Sequence, residues 1–260
     1  MNQILVTEKL YITPELKRKK KIYKLYFVLS VFVVCILTSL YIYAEYDRNK
    51  GVQESEKLLA DAQNTFAEDE ADNTVADDTL MVLLNGSPED YEELDDAEME
   101  TEEDSKSVAD AIANAEWKTS PSGYKYKVVA TVEAPKIGLQ QTVIQGETGE
   151  LKETEGLLKS SPVKYHGHDP NEVGNFCIVG HNYRNTKFFS KVINLVIGDT
   201  VKLTDLTGRT LIYEVYDKHT VIPEDVHDTT QVTGGRKELT LITCTNDSKE
   251  RVIVRCKEVK

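Results

Sequence analysis

The chain has 260 residues, with 31 Lys/Arg against 44 Asp/Glu, a net charge of −13 and four cysteines. That length accommodates one large domain or a smaller one with appendages, and the acidic balance speaks against nucleic acid as a partner. One cysteine, Cys35, lies in an apolar N-terminal run, which leaves an odd number outside it and excludes a fully paired disulfide framework.

The charge is unevenly placed. Residues 1–50 balance to +5, residues 51–117 to −20 and residues 118–260 to +2. The acidity therefore belongs to the middle of the chain and says nothing about the surface of a C-terminal domain.

Residues 1–24 read as a basic N-terminus, with Lys17-Arg18-Lys19-Lys20-Lys21 and Lys24. Leu25 to Ala44 follows, 20 residues without a charge. As a helix rising ~1.5 Å per residue it spans the ~30 Å of a bilayer's hydrocarbon. The basic flank before it, with Glu45 and Asp47 after it, predicts a single-pass anchor with the N-terminus inside and the remainder extracellular. A cleaved signal peptide fits less well, because the run exceeds the usual ~7–15 apolar residues and Ile42-Tyr43-Ala44 is a poor cleavage site.

Residues 45–116 open with a helical-looking stretch, Val52 to Phe66, and then turn strongly acidic. Glu68 to Asp104 holds 17 Asp/Glu and no Lys or Arg. Self-repulsion and scarce aromatic residues predict a solvated, largely disordered stalk, interrupted by the apolar island Leu80 to Leu84, which would be able to dock on a domain.

From Trp117 the pattern becomes short β-like runs between turns. Strands are expected near 124–132, 141–144, 176–179, 200–203, 210–216, 239–243 and 251–256, with one helix over 187–195. Many short strands over residues 117–260 predict a mainly β domain, a closed or partly closed barrel.

Three of these runs carry a chemistry-bearing residue at one tip. Thr240-Leu241-Ile242-Thr243-Cys244 delivers a thiol to a strand end, and Arg251 opens the next strand seven residues later. Phe176-Cys177-Ile178-Val179 leads into Gly180-His181-Asn182. A thiolate is a strong nucleophile toward an amide carbonyl but needs a base or a cationic neighbour to form. A histidine at a strand tip is placed to protonate a leaving amine. Arginine, always charged, stabilises an oxyanion rather than acting as base. Cys177 and Cys256 sit inside strands and read as structural. The remaining histidines, including the pair His166-Gly167-His168, lack further metal ligands at recognisable spacing.

The motifs resemble those of the sortases, the cysteine transpeptidases of Gram-positive cell surfaces. Ala134-Pro135-Lys136-Ile137-Gly138-Leu139, Gly180-His181 and the TLxTC-like Thr240 to Cys244, followed by Arg251, carry the resemblance over about 125–257. It implies an eight-stranded β-barrel preceded by a membrane anchor. It also implies that Cys244 attacks the Thr–Gly bond of an LPxTG-like sorting signal on a secreted protein, forming a thioacyl enzyme. His181 would serve as acid and base, Arg251 would hold the oxyanion with support from Thr243, and the acceptor would be a peptidoglycan precursor amine of the lipid II type. Without an acceptor the same enzyme would hydrolyse its substrate. The segment Ile222 to Arg236 would carry selectivity, with Ile222, Pro223 and Val226 as an apolar pocket.

Only 63 positions separate His181 from Cys244, too few for the extra helix of class B enzymes. The lid of the pilin-polymerising class has no counterpart, since Asp169-Pro170 lies inside the domain. A class A or class D-like anchoring enzyme fits best. No cofactor is expected. Calcium modulation through Asp169, Glu172, Glu224 and Asp225 finds no matching pattern. Two rival readings stand beside this one: a cysteine protease-like hydrolase, although the caspase Gln-Ala-Cys signature is absent, and a non-catalytic surface-binding domain.

Overall fold

The computed structural model describes residues 14–72, 102–184 and 187–259; the Leu80 to Leu84 island lies outside them. Two compact units divide the chain, residues 1–49 and 50–260.

The first unit is helical. Helix α1 spans Pro14–Asp72 and contains the uncharged run, long and apolar enough to cross a membrane. Two of its hydroxyls bond along the helix itself: Ser30 Oγ donates to the Phe27 carbonyl (2.8 Å) and Thr38 Oγ1 to the Val34 carbonyl (3.0 Å). Back-bonding of this kind lets polar side chains sit in hydrocarbon without an unpaired donor.

The second unit begins with the rest of α1. Part of the stretch read from composition as a stalk is packed: Leu58 and Ala62 are buried, and Ser55 Oγ donates to Gln141 Oε1 at 2.7 Å. Gly51 runs against the Lys159 carbonyl so closely that a Cβ would collide with it. Helix α2, Glu102–Asn114, buries Val108, and Lys127 Nζ donates to the carbonyls of Ile112 (2.9 Å) and Ala113 (2.7 Å) at its C-terminal turn. A cation there satisfies orphan carbonyls and complements the helix dipole. The domain thus starts before Trp117, because net acidity marks solvent-facing positions and hides the few apolar ones that face inward.

The strands are β1 (Lys118–Thr119), β2 (Lys125–Ala134), β3 (Leu139–Gly146), β4 (Val163–His166), β5 (Gly174–Val179), β6 (Thr200–Asp205), β7 (Thr210–Val221), β8 (Lys237–Cys244) and β9 (Arg251–Glu258). Helix α3, Leu151–Leu157, crosses between β3 and β4. Hydrogen bonding runs in the order β1-β2-β3-β4-β5-β8-β9-β7-β6, and β6 pairs back with β2. That last pairing closes β2 to β9 into an eight-stranded barrel, leaving β1 as a short extension on β2. Closure removes sheet edges, the reason such domains stay soluble with so many short strands.

One core fills the barrel, including Val129, Phe189, Leu203, Tyr213, Leu239 and Leu241. β8 is buried at six consecutive positions, Glu238 to Thr243, because the segment after β7 covers its outer face while the core takes the inner one. A strand covered on both faces reads as a continuous run rather than as alternation. β5 lies parallel to it, with Val179 opposite Ile242, and β9 lies antiparallel on its other side.

Several elements depart from the pattern reading. β4 and α3 escaped it, the first a four-residue strand with two exposed positions, the second masked by acidic residues. The helix expected over 187–195 is a pair of turns ending in a 3-10 helix, Val192–Asn194. Phe188 there adopts φ 51° and both Phe188 and Phe189 are buried, which a regular helix does not allow for adjacent residues on one face.

Candidate active site

The parallel pairing of β5 and β8 sets the first two groups side by side. Gly180 N donates to the Ile242 carbonyl (3.0 Å), and Thr243 Oγ1 donates to the Gly180 carbonyl (2.8 Å). One residue on, Asn182 Nδ2 donates to the Cys244 carbonyl (2.9 Å) and to Asn246 Oδ1 (3.1 Å), so the His181 loop is tied directly to the end of the Cys244 strand. Gly180 is required at this junction, since a Cβ would collide with the Phe189 ring.

The third group comes from the β8–β9 hairpin. Cys244 and Arg251 are its last registered pair. Directly opposed residues of an antiparallel pair emerge on one face with Cβ atoms about 4.5–5.5 Å apart. The connecting loop is locked by Thr245 N to the Glu250 carbonyl (3.0 Å) and by Thr245 Oγ1 to Asp247 Oδ1 (2.6 Å).

His181, Cys244 and Arg251 line one cleft of ≈ 270 Å³, together with Thr243, Pro223 and Val226. Cys244 is half-buried, whereas Cys177 and Cys256 are fully buried. Burial pushes the Cys177 thiol up to about 12 and raises Cys256 as well, so neither ionises readily. His181 is held below its ordinary value, first by burial and then by the positive charges of Lys159 and Arg251, against a smaller opposing effect of Glu155. Its ring therefore favours the neutral form, able to accept a proton from a neighbouring thiol. Tyr183 packs on it with centroids 4.9 Å apart, and Phe188 meets Tyr183 edge-on at 5.2 Å.

The other sequence candidates fall as follows. Thr243 is buried with its hydroxyl committed to Gly180, which makes it a brace between two strand ends. Pro223 and Val226 line the cleft, while Ile222 points to solvent at 60% exposure and stands outside the lining. Arg255, on the same face of β9 as Arg251, is turned to Glu238 (2.8 Å) and Asp228 (3.7 Å). Among the described residues no group of three or more His, Cys, Asp or Glu is arranged to hold a metal ion. Asp169 pairs with Lys164 (2.8 Å) and Glu172 with Arg209 (3.0 Å), while Glu224 and Asp225 are exposed.

Sequence reasoning missed the groups that surround the three. Glu155 and Lys159 act on His181 through their charges from α3 and its end, a helix the pattern did not reveal. Asp228 lines the cleft with its carboxylate turned to His219 and Arg255, residues far apart in the chain and without a shared motif.

The family model for the sortase domain matches residues 132–259. Among solved structures the chain is similar to a Sortase D5 transpeptidase from Clostridium perfringens, with 29% identity over 62% of this chain and 89% of that one and a TM-score of 0.47. It is also similar to sortase C1 from Streptococcus agalactiae, with 26% identity over 50% of this chain and 67% of that one and a TM-score of 0.44. A sortase A lid mutant from Corynebacterium diphtheriae has 21% identity over 60% of this chain and 91% of that one, with a TM-score of 0.45. A search of curated proteins returned no match. The matched segment runs from β2 through β9 and contains His181, Cys244 and Arg251: the chain carries a sortase domain over residues 132–259.

Proposed function

We propose that this protein is a membrane-anchored cysteine transpeptidase that cleaves an LPxTG-like sorting signal between Thr and Gly and transfers the released acyl group to a cell-wall amine. The observation that carries the reading is the convergence of Cys244, His181 and Arg251 in one cleft, with Cys244 and Arg251 in direct register. The sortase domain supports transpeptidase chemistry, and the apolar helix with its basic flank supports a surface enzyme with the N-terminus inside.

In this mechanism His181 accepts the Cys244 proton and Sγ attacks the threonine carbonyl carbon. The carbonyl electrons move to oxygen, where the Arg251 guanidinium stabilises the oxyanion. Collapse breaks the C–N bond, and the imidazolium gives its proton to the departing glycine amine. The thioester then meets an amine acceptor, whose proton goes to His181 while the acyl group leaves sulfur. Water in place of the amine gives hydrolysis, the product expected when acceptor is withheld. Pro223 and Val226 offer the apolar surface that the Leu-Pro of a signal requires.

Intact mass spectrometry of the full chain with a sorting-type peptide tests the reading. A covalent adduct equal in mass to the acyl fragment is expected, absent from Cys244→Ala and retained in Cys177→Ala. No adduct with any sorting peptide, together with unchanged surface display in Cys244→Ala cells, would sink it.

A further inference from the structure

The segment after β7 is anchored to the barrel from behind by buried polar groups. Asn175 of β5, fully buried, donates from Nδ2 to the carbonyls of Asp228 (2.8 Å) and Thr230 (3.3 Å), and its Oδ1 accepts from Thr240 Oγ1 (2.8 Å). Gln231 exchanges two bonds with the Asn175 backbone, each 3.0 Å. Thr233 Oγ1 donates to the Arg236 carbonyl at 2.6 Å. The one carboxylate in this set is Asp228, in the 3-10 turn His227–Thr229, which is buried and lines the cleft. Its Oδ2 meets His219 Nε2 at 2.9 Å and its Oδ1 lies 3.7 Å from Arg255. Arg255 is itself fixed by Glu238 (2.8 Å), which also accepts from Tyr216 (2.8 Å) and pairs with Arg236 (2.9 Å).

We infer that Asp228 is a positioning residue that holds residues 222–236 as a preformed wall of the cleft, with His219 and Arg255 as its anchors. The transpeptidase reading enters only in naming what the wall selects, the apolar residues of a sorting-type peptide. Asp228 commits its charge to His219 and Arg255, and the segment leading into its turn brings Pro223 and Val226 to the cleft. A wall held this way loses no ordering entropy when the peptide binds.

The anchor titrates. His219 lies between Asp217 of its own strand (Nδ1, 3.1 Å) and Asp228 of the loop, with Arg255 and Glu238 behind them. Burial works against its charge, but the two carboxylates prevail and raise it above its ordinary value. Only the imidazolium has an N–H for both carboxylates; the neutral ring serves one. The wall therefore loosens as His219 loses its proton.

Full-length protein in detergent micelles, a quenched peptide carrying Leu-Pro before Thr-Gly, and hydrogen exchange provide the test. Asp228→Asn should raise KM roughly 10-fold while kcat falls much less, and should speed amide exchange over residues 225–233 without changing β8 or β9. His219→Gln should keep a donor for Asp228 but abolish the rise of KM expected in the parent as pH climbs above the ordinary imidazole value. Unchanged KM and loop exchange in Asp228→Asn, or exchange that speeds throughout the barrel, would overturn the inference. Should Asp228→Asn fail to fold, a retained alkaline rise in His219→Gln overturns it instead. If the parent protein processes no peptide, the transpeptidase reading fails and loop exchange alone decides the anchor.

Discussion

At the scale of residues, Arg251 and Lys159 place two positive charges near His181 with different jobs. Arg251 opens β9 in register with Cys244, where a planar fork with several N–H groups suits a developing oxyanion. Arg251→Lys keeps the charge and loses the fork, so kcat should drop by about 10²-fold with a smaller change in KM, measured on a sorting-type peptide. Lys159, exposed at the end of α3, acts on His181 only through its field, lowering the imidazole alongside burial. Lys159→Gln should therefore move the acidic limb of kcat/KM to higher pH, because a less opposed imidazole takes up its proton earlier as pH falls. A limb that stays in place would separate that profile from His181. The three lining groups were legible in the sequence because each stands at one tip of an apolar run, Cys244 and His181 after it and Arg251 before it. Thr243's brace to Gly180 and the anchor at Asp228 were not, since nothing local marks a hydroxyl whose partner lies 63 residues away or a carboxylate shared between His219 of one strand and Arg255 of another.

Elements tell a similar story. β8 was legible because its buried centre holds the apolar Leu239, Leu241 and Ile242, and its neighbours carry comparable apolar runs, Phe176 to Val179 in β5 and Val252 to Val254 in β9. Helix α3 was not, being short and exposing Leu151, Lys152 and Glu155 in no apolar pattern. Its Glu153 is buried and accepts from the backbone N–H groups of Glu147 (3.0 Å), Thr148 (3.0 Å) and Gly149 (2.7 Å). Burial opposes that charge, yet these donors hold the carboxyl below its usual range. Nor did the acidic middle region reveal that α1 continues into the domain. Leu58 packs with Tyr126, Ile144, Leu157, Leu158 and Val163. Leu58→Ala should cost about 2–5 kcal/mol in urea unfolding, and a fragment beginning at Trp117 should melt below one beginning at Lys50. Equal stabilities would show that this helix segment contributes nothing to the domain.

The whole molecule should be most stable near pH 6.5, the ordinary imidazole value at which two histidines oppose one another. His181 is depressed in the folded state, so the unfolded chain binds protons first as pH falls below that value, and stability drops. Glu153 and Asp199 add to this loss further down, as pH passes through their lowered folded values. Asp199 is the same case: burial works against its charge, but Lys136 at 2.6 Å and the Val196 N–H prevail. His219 is raised, so its contribution is complete below the ordinary value and is lost as pH climbs through its folded one. Denaturant unfolding across pH should give a peak whose alkaline side flattens in His219→Gln; an unaltered alkaline side would separate that loss from His219. By itself the sequence determined the apolar span, the acidic middle and the β-barrel, and it singled out Cys244, His181 and Arg251, which the fold brings to one cleft, all features written in local runs. Only the tertiary structure decided where the compact unit begins and what stands behind the cleft wall. Each of those depends on burial and on partners brought together by barrel closure, and the pairing of β6 with β2 that closes the barrel joins strands about 70 residues apart.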